Sequence, residues 1–142
     1  MFAFQKIVAY NMPTMSPETK GSKNVVVAAG TPKDREAICR VLRAGGHTPQ
    51  GEAGSQTRTL ATLRQLTKDG KRVDTLVVSA PLLDIFEGSI PYKTFLDTAR
   101  GIVAGLSVLG ISPDRYPVEG ADKTIGPQIA PRADLVKEVA NL

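Results

Sequence analysis

The sequence predicts a single three-layer α/β/α domain built on a parallel sheet, and three observations carry that expectation. Two short, unbroken apolar runs, Val25-Val26-Val27 and Leu76-Val77-Val78, have the composition of strands buried on both faces. Strand-like and helix-like patterns alternate from Asn24 onward. Aromatic residues are scarce, with no Trp, three Tyr and four Phe, so the core must be built from Val, Leu, Ile and Ala. At 142 residues, 42% of them hydrophobic, the chain fits one such core rather than two.

Residues 1 to 22 differ from the rest and read as an extension, with the domain proper over 23 to 142. A short apolar stretch from Phe2 to Tyr10 is followed by the proline-broken connector Asn11-Met12-Pro13-Thr14-Met15-Ser16-Pro17. Phe2, Phe4, Ile7 and Val8 could form an arm that packs on a partner, or an ordinary extra edge strand.

The first strand spans Val25 to Ala29. Thr31-Pro32-Lys33-Asp34 then starts a helix, with Thr as N-cap, Pro in the first helical position and Asp in the first turn. This helix runs to Ala44, buries Ile38, Val41 and Leu42, and stops at Gly45-Gly46. A second strand follows from His47 to Ala53. Its Pro49 has no N–H to donate to a ladder, which places the strand at an edge of the sheet.

Ser55 or Thr57 caps a second helix carrying Leu60, Leu63 and Leu66 on one face and closing at Lys68-Asp69-Gly70. Asp74 to Ser79 is the third strand, followed by a loop from Ala80 to Ser89. Pro91 starts a third helix with Tyr92, Phe95, Leu96 and Ala99 at helical spacing. Leu106 to Ile111 reads as a fourth strand, because Gly101 and Gly105 weaken a continued helix. A short fifth strand spans Gly120 to Ile125, with a short or missing helix before it. Pro131 opens a last helix with Leu135, Val136 and Val139 inward.

Several function classes drop out on composition. The balance of 18 basic to 14 acidic residues gives a net charge of +4, but no run of Lys or Arg concentrates it. Spread charge of this kind is a solvated surface, so neither nucleic acid nor a membrane is an expected partner. No apolar stretch approaches the ~20 residues that span a bilayer, and Met1 to Val8 has the wrong flanks for a secretory signal; the expectation is a cytoplasmic protein. One Cys and one His cannot make a structural zinc site, no phosphate-binding glycine motif is present, and no cofactor is expected. Cys39, inside an apolar helical pattern, reads as a packed hydrophobe. His47, at a helix-to-strand turn, reads as a surface or capping residue.

In open α/β sheets ligands bind beyond the carboxyl ends of the strands, so Ala28-Ala29 and Ser79 are the residues to interrogate. At this point the chain resembles a response-regulator receiver domain, the flavodoxin-like (CheY-like) module of two-component signalling. The resemblance is carried by Val25 to Ala29 with Asp34-Arg35-Glu36 and Gly45-Gly46-His47, by Val73 to Ser79, and by Gly120-Ala121-Asp122 with Gly126-Pro127 and Ala130-Pro131. It implies a five-stranded sheet of order 2-1-3-4-5, which puts the Pro49 strand at the edge its chemistry requires.

The family's functional residues do not carry over. The resemblance implies an acidic pair for Mg²⁺ after the first strand, a phosphate-accepting Asp after the third, a Ser or Thr after the fourth, and an aromatic and a Lys near the fifth. The corresponding positions here are Ala28 and Ala29, Ser79, Ser112, Thr124 and Gly126, of which only the Ser112 hydroxyl matches. Asp84, five residues beyond Ser79, reads as a loop residue rather than a displaced acceptor. The expectation is therefore a degenerate pseudo-receiver: not an enzyme, with no catalytic residue and no metal, working through contact with a protein partner or with another copy of the chain. Two alternatives stand beside it. One is a small-ligand binder or enzyme using the crevice around Ala28, Ser79 and Ser112; the other is a structural subunit docked through its N-terminal arm.

Overall fold

A computed structural model of the chain describes residues 22–82, 90–113, 117–126 and 132–142, the last segment with its side chains from Leu135. The arm residues Phe2, Phe4, Ile7 and Val8, together with Asp84 and Pro131, lie outside the described residues. The elements run β1 (Asn24–Ala29), α1 (Pro32–Ala44), β2 (Thr48–Ala53), α2 (Gln56–Lys68), β3 (Thr75–Ser79), α3 (Tyr92–Ile102), β4 (Ser107–Ile111), β5 (Lys123–Ile125) and α4 (Arg132–Ala140).

All neighbouring strand pairs are parallel, and the sheet order is β2-β1-β3-β4-β5. Strand alternation sends Val25, Val27, Ala29, Val77, Leu109 and Ile111 to one face, where Ile38 and Leu42 of α1 and Leu135 and Val139 of α4 cover them. Val26, Ala28, Leu76, Val78 and Val108 point the other way, against Leu63 of α2 and Phe95, Leu96 and Ala99 of α3. Two apolar layers thus sandwich the sheet, as unbroken Val and Leu runs require.

Local chemistry starts and stops the helices. Thr31 Oγ1 accepts from the Asp34 N–H at 3.2 Å and Pro32 fills the first turn of α1. Of the two candidate caps for α2, Ser55 takes the role, accepting from the Arg58 N–H at 3.1 Å. Pro91 is itself the cap residue of α3 and supplies no side-chain hydrogen bond.

β2 is an edge strand, as Pro49 demands, and its register with β1 slips between Val25 and Val26, leaving Gln50 as the extra residue. The opposite edge, β5, is only three residues long.

β5 starts later than the sequence suggests because the residue before it has another job. The Asp122 carboxylate accepts from the Val108 N–H at 2.7 Å and from Arg100 at 3.2 Å, while its own N–H donates to the Val108 carbonyl. No helix is described between β4 and β5. Val118 instead lies directly on Gly110, where an added Cβ would come within 2.6 Å of it.

His47 is a correction to the sequence reading. It precedes β2 rather than opening it, and it is buried, 4% exposed, rather than at the surface. Nδ1 accepts from the Lys23 N–H at 3.1 Å, which leaves the Nε2 proton to meet the Val136 carbonyl, also at 3.1 Å. The ring ties the entry to β1 to the middle of α4. Helix α4 arrives some ninety residues later in the chain and covers the imidazole, so local sequence held no trace of the burial.

Candidate functional site

The strand ends are level. Ala29, Ser79, Ile111 and Ile125 occupy one row across four strands, and the Ala80 and Ser112 N–H groups continue the ladders to Ile111 and Ile125 at 2.8 and 3.0 Å. Beyond this row lies the crevice that parallel sheets use for ligands.

The six positions singled out from the sequence do not converge there. Ala28 and Ala29 are fully buried and belong to opposite apolar layers, Ala28 under α2 and α3 and Ala29 under α1 and α4. Ser79 is half-buried beside Ala29. Ser112 is 2% exposed and lines a cavity of about 370 Å³ walled by Ala80, Pro81, Tyr92, Pro113 and Val118. Those walls are mostly apolar, and the Tyr92 hydroxyl oxygen is already engaged, accepting from the Leu82 N–H at 2.7 Å. Thr124 stands behind one wall of that cavity: its Oγ1 accepts from the Val118 N–H at 3.0 Å and holds the β4–β5 connection down. With exposed Gly126 it borders a separate cavity of about 640 Å³ that includes Lys123, Lys137, Glu138 and Asn141.

Arg35 is the residue the sequence reading missed. One turn into α1, its Nη1 donates to the Ala29 carbonyl at 2.8 Å, and its Nε lies 3.7 Å from Glu52 Oε1. The guanidinium is held down on the strand end by Gly54, where a Cβ would come within 2.7 Å of Nη1. The available signal was positional: in a strand-to-helix turn, the first turn of the helix overhangs the end of the preceding strand, so an Arg there is within reach of its last carbonyl.

The electrostatics of the crevice follow. Asp34 lies exposed in the first turn of α1, and among the described residues no group of three or more His, Cys, Asp or Glu could hold a metal ion. Cys39 lies on the buried face of α1, where burial first, and the Glu52 charge second, push its thiol pKa up, so it is a packing group rather than a nucleophile.

At the opposite end of the sheet, Asp74 clamps the strand starts. Burial alone would raise its pKa, but the Asn24 N–H at 2.9 Å and the Arg72 guanidinium at 2.7 Å, aided by Lys23, bring the net shift below the ordinary carboxylate value.

This strand order, with α1 and α4 on one face and α2 and α3 on the other, is the architecture of response-regulator receiver (CheY-like) domains. The chain superposes on the signal receiver domain of the putative response regulator NarL from Mycobacterium tuberculosis with a TM-score of 0.63 at 22% identity, over 84% of this chain and 94% of that one. A CheY-like receiver domain protein from Methanospirillum hungatei gives 0.62 at 16% identity, over 84% and 94%. A putative pilus assembly-related protein from Burkholderia pseudomallei gives 0.64 at 18% identity, over 89% and 95%. No protein-family model matches the sequence, and no curated protein matches it. The likeness is one of fold.

The resemblance to receivers brings with it a Mg²⁺ site at the end of the first strand, and the donor set here does not fit one. Magnesium takes carboxylate oxygens in a near-octahedral shell, whereas this strand end offers two methyl groups, a hydroxyl and a guanidinium bonded to the Ala29 carbonyl.

Proposed function

We propose that the chain is a receiver-fold module that acts by binding another protein, without aspartyl phosphorylation and without catalysis of its own. The observation that carries the reading is the charge at the end of β1. Where metal-dependent phosphoryl chemistry needs carboxylates, this chain buries Ala28 and Ala29 and seats the Arg35 guanidinium on the Ala29 carbonyl. The guanidinium occupies the backbone oxygen that a cation would need, and a serine hydroxyl such as that of Ser79 needs an adjacent base or metal to become nucleophilic. No described helix is long and apolar enough to cross a membrane, which agrees with a module that meets its partner from the aqueous side.

The test is direct. Incubation with Mg²⁺ and acetyl phosphate should leave the intact mass unchanged, and Mg²⁺ with beryllofluoride should leave the melting temperature unchanged. A phosphoryl adduct, or a Mg²⁺-dependent rise in melting temperature, would overturn the reading, because a ligand that binds only the native state must stabilise it.

A second reading, a subunit of a larger assembly, is favoured by one finding: the Burkholderia protein described as pilus assembly-related matches over 89% of this chain. That description belongs to the Burkholderia protein. Sedimentation of the full chain against a variant lacking residues 1 to 22 tests the assembly role of the arm, and an unchanged oligomeric state would count against it.

A further inference from the structure

We infer that the outer face of α2 is the docking surface for an acidic helix of a partner protein. The inference rests on the protein-contact reading above and gives it a location. Helix α2 carries Arg58, Arg64 and Lys68 and not one acidic residue. All three side chains are exposed, and none joins an ion pair among the described residues.

Among the described residues, the neighbouring elements do not neutralise them. On β2, Glu52 is paired with Arg35, and strand alternation sends it to the α1 side, since Gly51 is the residue that meets Thr62 and Leu66 of α2. On α3, Asp97 is paired with Lys93. Asp69, at the end of α2, accepts from the Gln65 amide at 3.0 Å and forms the rim of the patch.

Two of these charges are placed where they cost the isolated helix stability. Arg58 sits in the first turn, at the positive end of the helix dipole. Arg64 and Lys68 are four residues apart, the spacing at which like charges repel across one turn. A helix that breaks two local rules on the same exposed face, with no compensating carboxylate from the rest of the described fold, has the character of a binding surface rather than a solvated one.

The geometry selects the occupant. Arg58 to Lys68 covers about 15 Å of helix, and the short side chain of Ala61 lies between the cations. A second helix can therefore approach to ordinary packing distance while glutamates on it reach out to either side. Single-stranded nucleic acid would call for aromatic platforms, and α2 has none. A second copy of this chain is a poor match, because six of its described carboxylates are already paired internally: Glu36, Glu52, Asp74, Asp97, Asp122 and Glu138.

Fluorescence anisotropy of the full chain with a labelled, glutamate-rich amphipathic helical peptide tests the inference, with duplex DNA as the competing probe. The wild type should bind the peptide more tightly than the DNA. The double variant Arg58→Glu with Arg64→Glu should lose about tenfold in peptide affinity, while melting about 1–2 °C higher because it relieves both electrostatic costs. A variant of the same net charge, Lys33→Glu with Lys137→Glu, should keep peptide affinity within about twofold.

Absence of peptide binding, preference for DNA, or an equal loss in the two variants would each overturn the inference. These readouts are separate from the mass and Mg²⁺ measurements, so the docking surface and the non-phosphorylated reading can fail independently.

Discussion

Replacing Thr75 with Val should make this protein more stable, by an amount its surroundings allow to be worked out. Thr75 opens β3 between Val25 of β1 and Ser107 of β4, is fully buried, and its Oγ1 has no hydrogen-bond partner among the described residues. By strand alternation it points to the α1/α4 face. A buried hydroxyl without a partner forfeits the hydrogen bonds it made to water in the unfolded chain, a cost of about 1–3 kcal/mol. Valine has the same branched shape and adds a methyl where the hydroxyl stood, so the backbone and the rotamer need not change.

The expected gain is about 1–2 kcal/mol, or roughly 3–6 °C in melting temperature for a domain of this size. Urea melts should show the midpoint rising with an unchanged slope, which assigns the effect to stability rather than to the unfolded state. Thr75→Ser keeps the hydroxyl and removes the methyl, and should cost about 1 kcal/mol. If Thr75→Val is neutral or destabilising while Thr75→Ser is harmless, the hydroxyl has a partner and the reasoning fails.

Asp74 and Gly110 supply two further tests. Because the folded-state pKa of Asp74 is held below its unfolded value, its contribution is fully present above the ordinary carboxylate range and is lost as pH falls through the folded value. Asp74→Asn should therefore cost about 1–2 kcal/mol at pH 7, and the gap to wild type should close as denaturant melts are repeated at progressively lower pH. Gly110→Ala drives a Cβ to 2.6 Å from Val118 Cγ2 and should cost about 1–3 kcal/mol by overpacking. In a Val118→Ala background the same change should cost less, and a double-mutant cycle from thermal melts should show coupling of at least about 0.5 kcal/mol.

The architecture was largely legible from residues whose roles are local or one-dimensional. Val25-Val26-Val27 and Leu76-Val77-Val78 could only be strands covered on both faces, Pro49 could only sit at an edge, and Thr31-Pro32 and Ser55 announce helix starts through bonds made within a single turn. What escaped depends on partners distant in the chain. The burial of His47 is imposed by α4, and the late start of β5 by a carboxylate that serves β4. Arg35 escaped for a different reason: a cation in the first turn of an amphipathic helix looks like a solvated residue until the strand end beneath it is in view. That the strand-end positions lack acid is a fact of sequence, but their division between two apolar layers and two separate cavities follows only from the register.

The two margins of the sheet carry a consequence for how this protein can associate. A strand joining the β2 side would meet Pro49, which offers no donor, and a register slip that interrupts the regular spacing of bonds. A strand joining the other side would find three residues of β5 to pair with, too short a template to hold a chain in register. Neither margin of the described sheet invites it to grow from one molecule into the next. The described fold is thereby protected against edge-to-edge stacking at high concentration, and association through it falls to side chains on its helices and loops rather than to shared backbone ladders.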